Sequence, residues 1–182
     1  MKKVVLLGDS IRLIGYGNRV AEILGKEYEV WQPEDNCRFA KYTLRMLFDN
    51  KEQIEGADVI HWNNGLWDSC DIFGDGLFTS LDEYKKNMLR IADILLSYGK
   101  TVIFATTTPT HPDYPYNKLE DIQKYNDALV PELEKKGILI NDLFTTMLPH
   151  RLDGLREDQI HLNDVGIELC AKQVADKIRS VL

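Results

Sequence analysis

Three side chains in this sequence have the types needed for acyl transfer through a covalent serine. Ser10 follows Gly8 and Asp9 near the start of the chain, and Asp158 and His161 stand three positions apart near its end. A serine hydroxyl is a weak nucleophile until an imidazole takes its proton, and the imidazole needs a carboxylate to orient it and to stabilise its cation. Ser10, His161 and Asp158 supply those parts, with Glu157 as the alternative orienter. Gly-Asp-Ser is also an ordinary turn, and Asp or Ser after a strand often only caps the next helix. The presence of the other two parts at the far end of the chain favours the chemical reading.

The elements that must position these groups follow from the apolar pattern. Lys3-Val4-Val5-Leu6-Leu7 has no polar alternation, which predicts a strand buried on both faces, and it ends on Gly8, where the backbone can turn sharply. Ser10 then sits at the carboxyl end of a central strand, where open α/β sheets bind their ligands. Apolar segments at residues 3–7, 28–32, 58–62, 101–106 and 138–141 alternate with helical patterns. That alternation predicts parallel pairing with right-handed crossovers, hence an α/β fold: a three-layer α/β/α sandwich with a flavodoxin-like parallel five-stranded sheet.

Between the strands, Asn18 is expected to cap a helix that runs to Leu24 and closes at Gly25. Leu44, Leu47 and Phe48 are expected to share the inner face of the next helix. Ser80 and Glu83 have the spacing of a reciprocal capping box, followed by Tyr84, Met88, Ile91, Ala92 and Leu95 as a core stripe. Asn163 is placed to cap the last helix, whose Ile167, Ala171, Val174, Ile178 and Val181 form another stripe and anchor the Asp158–His161 loop. Two loops should border the site: Asp71 to Phe78, rich in Gly and aromatic residues, and the three-proline stretch 106–117, with Thr107 and Thr108 nearest.

Gly8-Asp9-Ser10, the Asn-Gly pair after the third strand and Asp158-x-x-His161 together resemble the SGNH hydrolases, also called GDSL esterases and lipases. The resemblance runs the length of the chain, in the family's order. It implies an oxyanion hole made by the Ser10 N–H, an N–H from the Arg38–Lys41 loop, assigned to Lys41, and a side-chain amide, assigned to Asn64 with Asn63 as the alternative. The chain departs from the family's Asn-x-Gly-x-x-Gly-x-Thr pattern, with Arg38 and Lys41 standing at the glycine positions between Asn36 and Thr43. These two cations either meet an anionic group of the substrate or form a solvated face. Trp67 stands where the family's Gly-x-Asn-Asp block has its Asn. Asp9, Asn63, Trp67 and Thr107 are assigned to substrate binding, and the resemblance implies no metal and no cofactor.

The 182 residues fit one domain, large enough to bury about 70% of its unfolded surface. A net charge of −7 without a basic cluster argues against nucleic acid or an anionic membrane as partner; the resemblance implies a small-molecule ester, and nothing in the sequence fixes an oligomeric state. Met1-Lys2-Lys3 runs straight into the first strand with no secretory signal, and Cys37, Cys70 and Cys170 are far apart, so a cytoplasmic location with buried, unpaired thiols is expected. His111 lies among prolines, His61 inside a strand and His150 at the surface, which leaves His161 as the base.

The expected function is a serine esterase or deacylase acting on a small ester, an acetylated carbohydrate first among candidates. The alternatives are a lysophospholipase or thioesterase, an acyltransferase, and a non-catalytic module that binds carbohydrate or acyl groups on the same fold.

Overall fold

The computed structural model describes residues 1–182, the side chain of Lys100 excepted. Strand β1 (Lys2–Leu7) lies inside an all-parallel sheet with β2 (Tyr28–Trp31), β3 (Ala57–Asn63), β4 (Gly99–Ala105) and β5 (Leu139–Asn141), in the order β2-β1-β3-β4-β5. The chain leaves β1 toward β2 and returns on the other side to β3. The carboxyl ends of β1 and β3 therefore flank the switch point, the place in such a sheet where a crevice opens.

Alternate residues of the strands feed two separate cores. Val5, Leu7, Ile60, Trp62, Val102 and Phe104 face helices α2 (Ala40–Asp49), α4 (Leu81–Tyr98) and α5 (Leu119–Lys135). Val4, Leu6, Val59, Ile103 and Ala105 face α1 (Gly17–Leu24), the short α6 (Leu143–Met147) and α7 (Asp164–Arg179). One further turn of helix, α3 (Lys51–Ile54), leads into β3. The three-layer sandwich and parallel sheet expected from the strand pattern are present. All five expected core positions of α4 are buried, and Asn163 Oδ1 accepts the Val165 and Gly166 N–H groups to cap α7.

Three local expectations are corrected. Asn18 does not cap α1; helical structure already begins before Arg12 and passes through a π-turn at Arg12–Tyr16, so Asn18 lies within α1 and its Oδ1 accepts from Gln32 Nε2. Residues 11–17 are thus helical, the break confined to Gly15 (φ −110°, ψ −112°). Phe48 is 72% exposed, because the buried stripe of α2 runs through Ala40, Thr43 and Leu47 instead, and Arg45 covers the Phe48 ring. Only half of the capping box forms: Ser80 Oγ accepts the Glu83 N–H, while the Glu83 carboxylate turns to Lys41.

Candidate active site

Ser10 is placed by a rigid underside. Gly8 passes so close to Asn63 that a Cβ there would stand 1.9 Å from Asn63 Oδ1, so only glycine lets the chain turn at this point. Asp9 is buried, its Oδ1 accepting the Ile11 N–H at 3.0 Å and Asn63 Nδ2 at 2.8 Å. Tyr16 donates to Asn63 Oδ1 at 2.7 Å, which fixes the amide so that its nitrogen faces Asp9. Desolvation pushes the Asp9 carboxyl up, opposed by the Ile11 N–H, the Asn63 amide, Arg12 and His161.

The buried Arg12 side chain joins this underside to the loop after β2, donating to Pro33 O (2.8 Å), Asp35 O (2.9 Å) and Gly8 O (3.2 Å). Three carbonyls from two segments are thereby fixed around one planar cation.

The candidate base, His161, comes from the other end of the chain. Asp158-Gln159-Ile160-His161 closes a tight turn with Gln159 at φ +68°, in which Asp158 Oδ1 accepts the His161 N–H at 2.9 Å and the Ile160 N–H at 3.2 Å. Asp158 Oδ2 lies 2.7 Å from His161 Nδ1, so the carboxylate selects the tautomer with its proton on Nδ1 and leaves Nε2 as acceptor. Partial burial raises the Asp158 carboxyl; the His161 N–H, the His161 imidazole and the Ile160 N–H outweigh that and hold it below the usual carboxylate range. Arg156 fastens the turn to the segment after Ser10 by donating to Leu162 O and Ile14 O, and His111 N donates to Gln159 O from the proline-rich loop.

Ser10 and His161 both line one cavity of about 530 Å³. Leu66, Trp67, Cys70, Ile72 and Ile160 give it apolar walls; Tyr114 and Tyr116 add aromatic faces, and Asn36 and Asn117 add amides. Asn117 donates both its protons inward, to Leu66 O and Ser69 Oγ, while Asn36 spends only its oxygen, on the Arg38 N–H. A groove of about 590 Å³ against β5 and α7 shares no lining residue with this cavity and holds no pairing of nucleophile and base.

Of the residues singled out in the sequence, Ser10, His161 and Trp67 line the cavity, with Asp158 behind the imidazole. Asp9, Asn63 and Thr107 do not reach its wall: all three are buried beneath it, Thr107 Oγ1 donating to Asn64 O and its N–H to Asn126. Their hydrogen bonds hold the floor, which corrects their assignment to substrate. Asn64 is buried at the first position after β3. Its Oδ1 accepts from Trp62 Nε1 at 2.7 Å, and its Nδ2 donates one proton to Arg38 O at 2.8 Å, leaving the second without a partner among the described residues.

The Lys41 side chain points away to Glu83, and the Arg38 guanidinium lies over Tyr42 beside Asp35, so both cations form a surface face. The Lys41 backbone N–H, in the first turn of α2, is unpaired among the described residues. His61 is buried beside Asn141, and desolvation lowers it to about 3, so it stays neutral. All three cysteines are buried and unpaired. Arg12, Tyr16 and Asn36 had no signal in the sequence; the 106–117 loop does border the cavity, as expected, but through Tyr114, Tyr116 and Asn117 rather than Thr107 and Thr108.

No protein-family model matches the chain, and no curated protein matches its sequence at a significant level. Solved structures do match its fold. A lipase/acylhydrolase from Enterococcus faecalis superposes with a TM-score of 0.80 at 22% identity, over 99% of this chain and 96% of that one. A GDSL-like lipase from Bacteroides thetaiotaomicron gives 0.76 at 17% identity, over 100% and 89%. An acetylxylan esterase from Geobacillus stearothermophilus gives 0.76 at 16% identity, over 97% and 94%. With the sheet order and the full-length superpositions together, the chain has the fold of the SGNH, or GDSL-type, hydrolases.

Proposed function

We propose that this protein is a serine esterase or deacylase working through an acyl-serine intermediate. One observation carries the reading: Ser10, at the carboxyl end of β1, shares a cavity wall with His161, whose imidazole Asp158 holds at 2.7 Å. His161 Nε2 takes the Ser10 proton as Oγ bonds to the ester carbonyl carbon, then returns it to the alkoxide as the C–O bond breaks. Water, deprotonated by the same nitrogen, attacks the acyl-serine carbonyl; the acyl–Oγ bond breaks, Nε2 returns the proton to Ser10 Oγ, and the acid is released. The Ser10 and Lys41 N–H groups and the free Asn64 amide proton are the donors proposed for the oxyanion, each contributing on the order of 3 kcal/mol.

The substrate proposed is a small ester of a polar alcohol, an acetylated carbohydrate foremost. Trp67, Tyr114 and Tyr116 offer flat apolar faces to a sugar ring, and Asn36 offers a free amide to its hydroxyls. The apolar side chains Leu66, Ile72 and Ile160 favour a second reading, a lysophospholipase or thioesterase with a longer acyl chain. A series of p-nitrophenyl esters from acetate to decanoate decides between them. Highest kcat/KM at two to four carbons supports the first reading, and a maximum at eight or more overturns it. The buried, unpaired cysteines support a cytoplasmic location; among the described residues no helix is long and apolar enough to cross a membrane.

A further inference from the structure

Helix α2 starts without a capping side chain of its own, since Phe39 occupies the N-cap position. Its acceptor comes from the loop after β3: Asp68 Oδ2 takes the Ala40 N–H at 2.9 Å. The next N–H along the chain belongs to Lys41 and is unpaired among the described residues. The turn that leads into α2 is not relaxed backbone, for Arg38 stands at φ +51°, a region a β-carbon disfavours. From the β3 loop, three bonds fasten this stretch: Asp68 to the Ala40 N–H, Asn64 Nδ2 to Arg38 O, and Thr43 Oγ1 to Asn64 Oδ1.

Asp68 is unusual for a capping residue. It is fully buried, and its Oδ1, beside the Thr79 side chain, has no hydrogen bond of good geometry among the described residues. A buried carboxylate left half satisfied costs more than an ordinary polar cap would. We propose that Asp68 is a positioning residue for the oxyanion hole: by holding the Ala40 N–H, it fixes the first turn of α2 so that the Lys41 N–H faces the oxyanion forming at Ser10. This inference rests on the acyl-serine reading above. An oxyanion donor acts on the transition state more than on the bound ester, so misplacing it lowers kcat and leaves KM nearly unchanged.

The test compares wild type, Asp68→Ala and Asp68→Asn in kcat and KM for p-nitrophenyl acetate, with a thermal melt to confirm folding. Asp68→Ala should lose about 30-fold to 100-fold in kcat with KM within about threefold. Asp68→Asn, whose amide oxygen can accept the same N–H, should keep kcat within about fivefold. Should Asp68→Ala fail to melt cooperatively, Asp68→Leu, which keeps the branched shape at a larger volume and without the acceptor, is read in its place. Wild-type kcat in a folded Ala or Leu variant overturns the inference. A loss beyond about tenfold in Asp68→Asn overturns it on its own, because the bond would then not be what matters. If wild type neither turns over ester nor takes a fluorophosphonate at Ser10, the acyl-serine reading itself falls and this inference with it.

Discussion

Asp158 Oδ2 sits 2.7 Å from His161 Nδ1, and the same carboxylate's other oxygen accepts the His161 backbone N–H at 2.9 Å. One side chain thus fixes both the position and the tautomer of the imidazole. Asp158→Asn keeps the shape and loses the anion, so kcat should fall roughly 10³-fold with little change in KM. A loss under about tenfold would give the orienting role to another group, Glu157 first. Because folding lowers the Asp158 pKa, its stabilising contribution is present at neutral pH and lost only as pH falls through that lowered value.

Arg12 is a buried cation whose removal would strand the carbonyls of Pro33 and Asp35 and leave Gly8 O with the Cys37 N–H alone. Arg12→Met should destabilise the fold by about 3 kcal/mol in urea unfolding. Arg12→Lys should recover little of this, since a single ammonium cannot reproduce the planar fork. Recovery to within about 1 kcal/mol of wild type in the Lys variant would contradict this account.

Tyr16 fixes the Asn63 amide, and through it Asp9, from the far side of the nucleophile. Tyr16→Phe leaves Asn63 Oδ1 buried without that donor and should cost about 1 to 2 kcal/mol. An unchanged melting temperature would mean that the amide is held by its other contacts alone.

Burial pushes the Asp68 carboxyl up to about 6; the Ala40 N–H and the neighbouring Thr79 side chain oppose the shift, while Asp9 and Glu83 add to it. The folded state therefore favours the protonated acid. This group's contribution to stability is full below the unfolded pKa of about 4 and is lost as pH rises through about 6. Unfolding free energies measured from pH 4 to 8 should show Asp68→Asn gaining on wild type by about 2 kcal/mol across that window. Parallel curves would contradict the shift.

The fold was legible wherever local pattern and burial coincide. Val4 to Leu7 read as a doubly buried strand because no residue in the run is polar, and the α4 stripe read correctly because its periodicity is unbroken. Ser10 and the Asp158–His161 turn were legible for the same local reason, a short motif beside a clear element. Arg12 was not, since the carbonyls that make a buried guanidinium tolerable come from a loop more than 20 residues away. Thr107 and Asn63 misled because proximity to a strand end does not say whether a side chain faces the cavity or the floor beneath it. Phe48 misled because α2 turns a Thr and an Ala inward, which hydrophobicity alone does not anticipate.

The central claim is that Ser10 is an activated nucleophile. The direct measurement is the intact mass of the protein after exposure to a small fluorophosphonate, for wild type and for Ser10→Ala. The account expects one adduct on wild type and none on Ser10→Ala. An unmodified wild type, or an adduct that persists in Ser10→Ala, would contradict it.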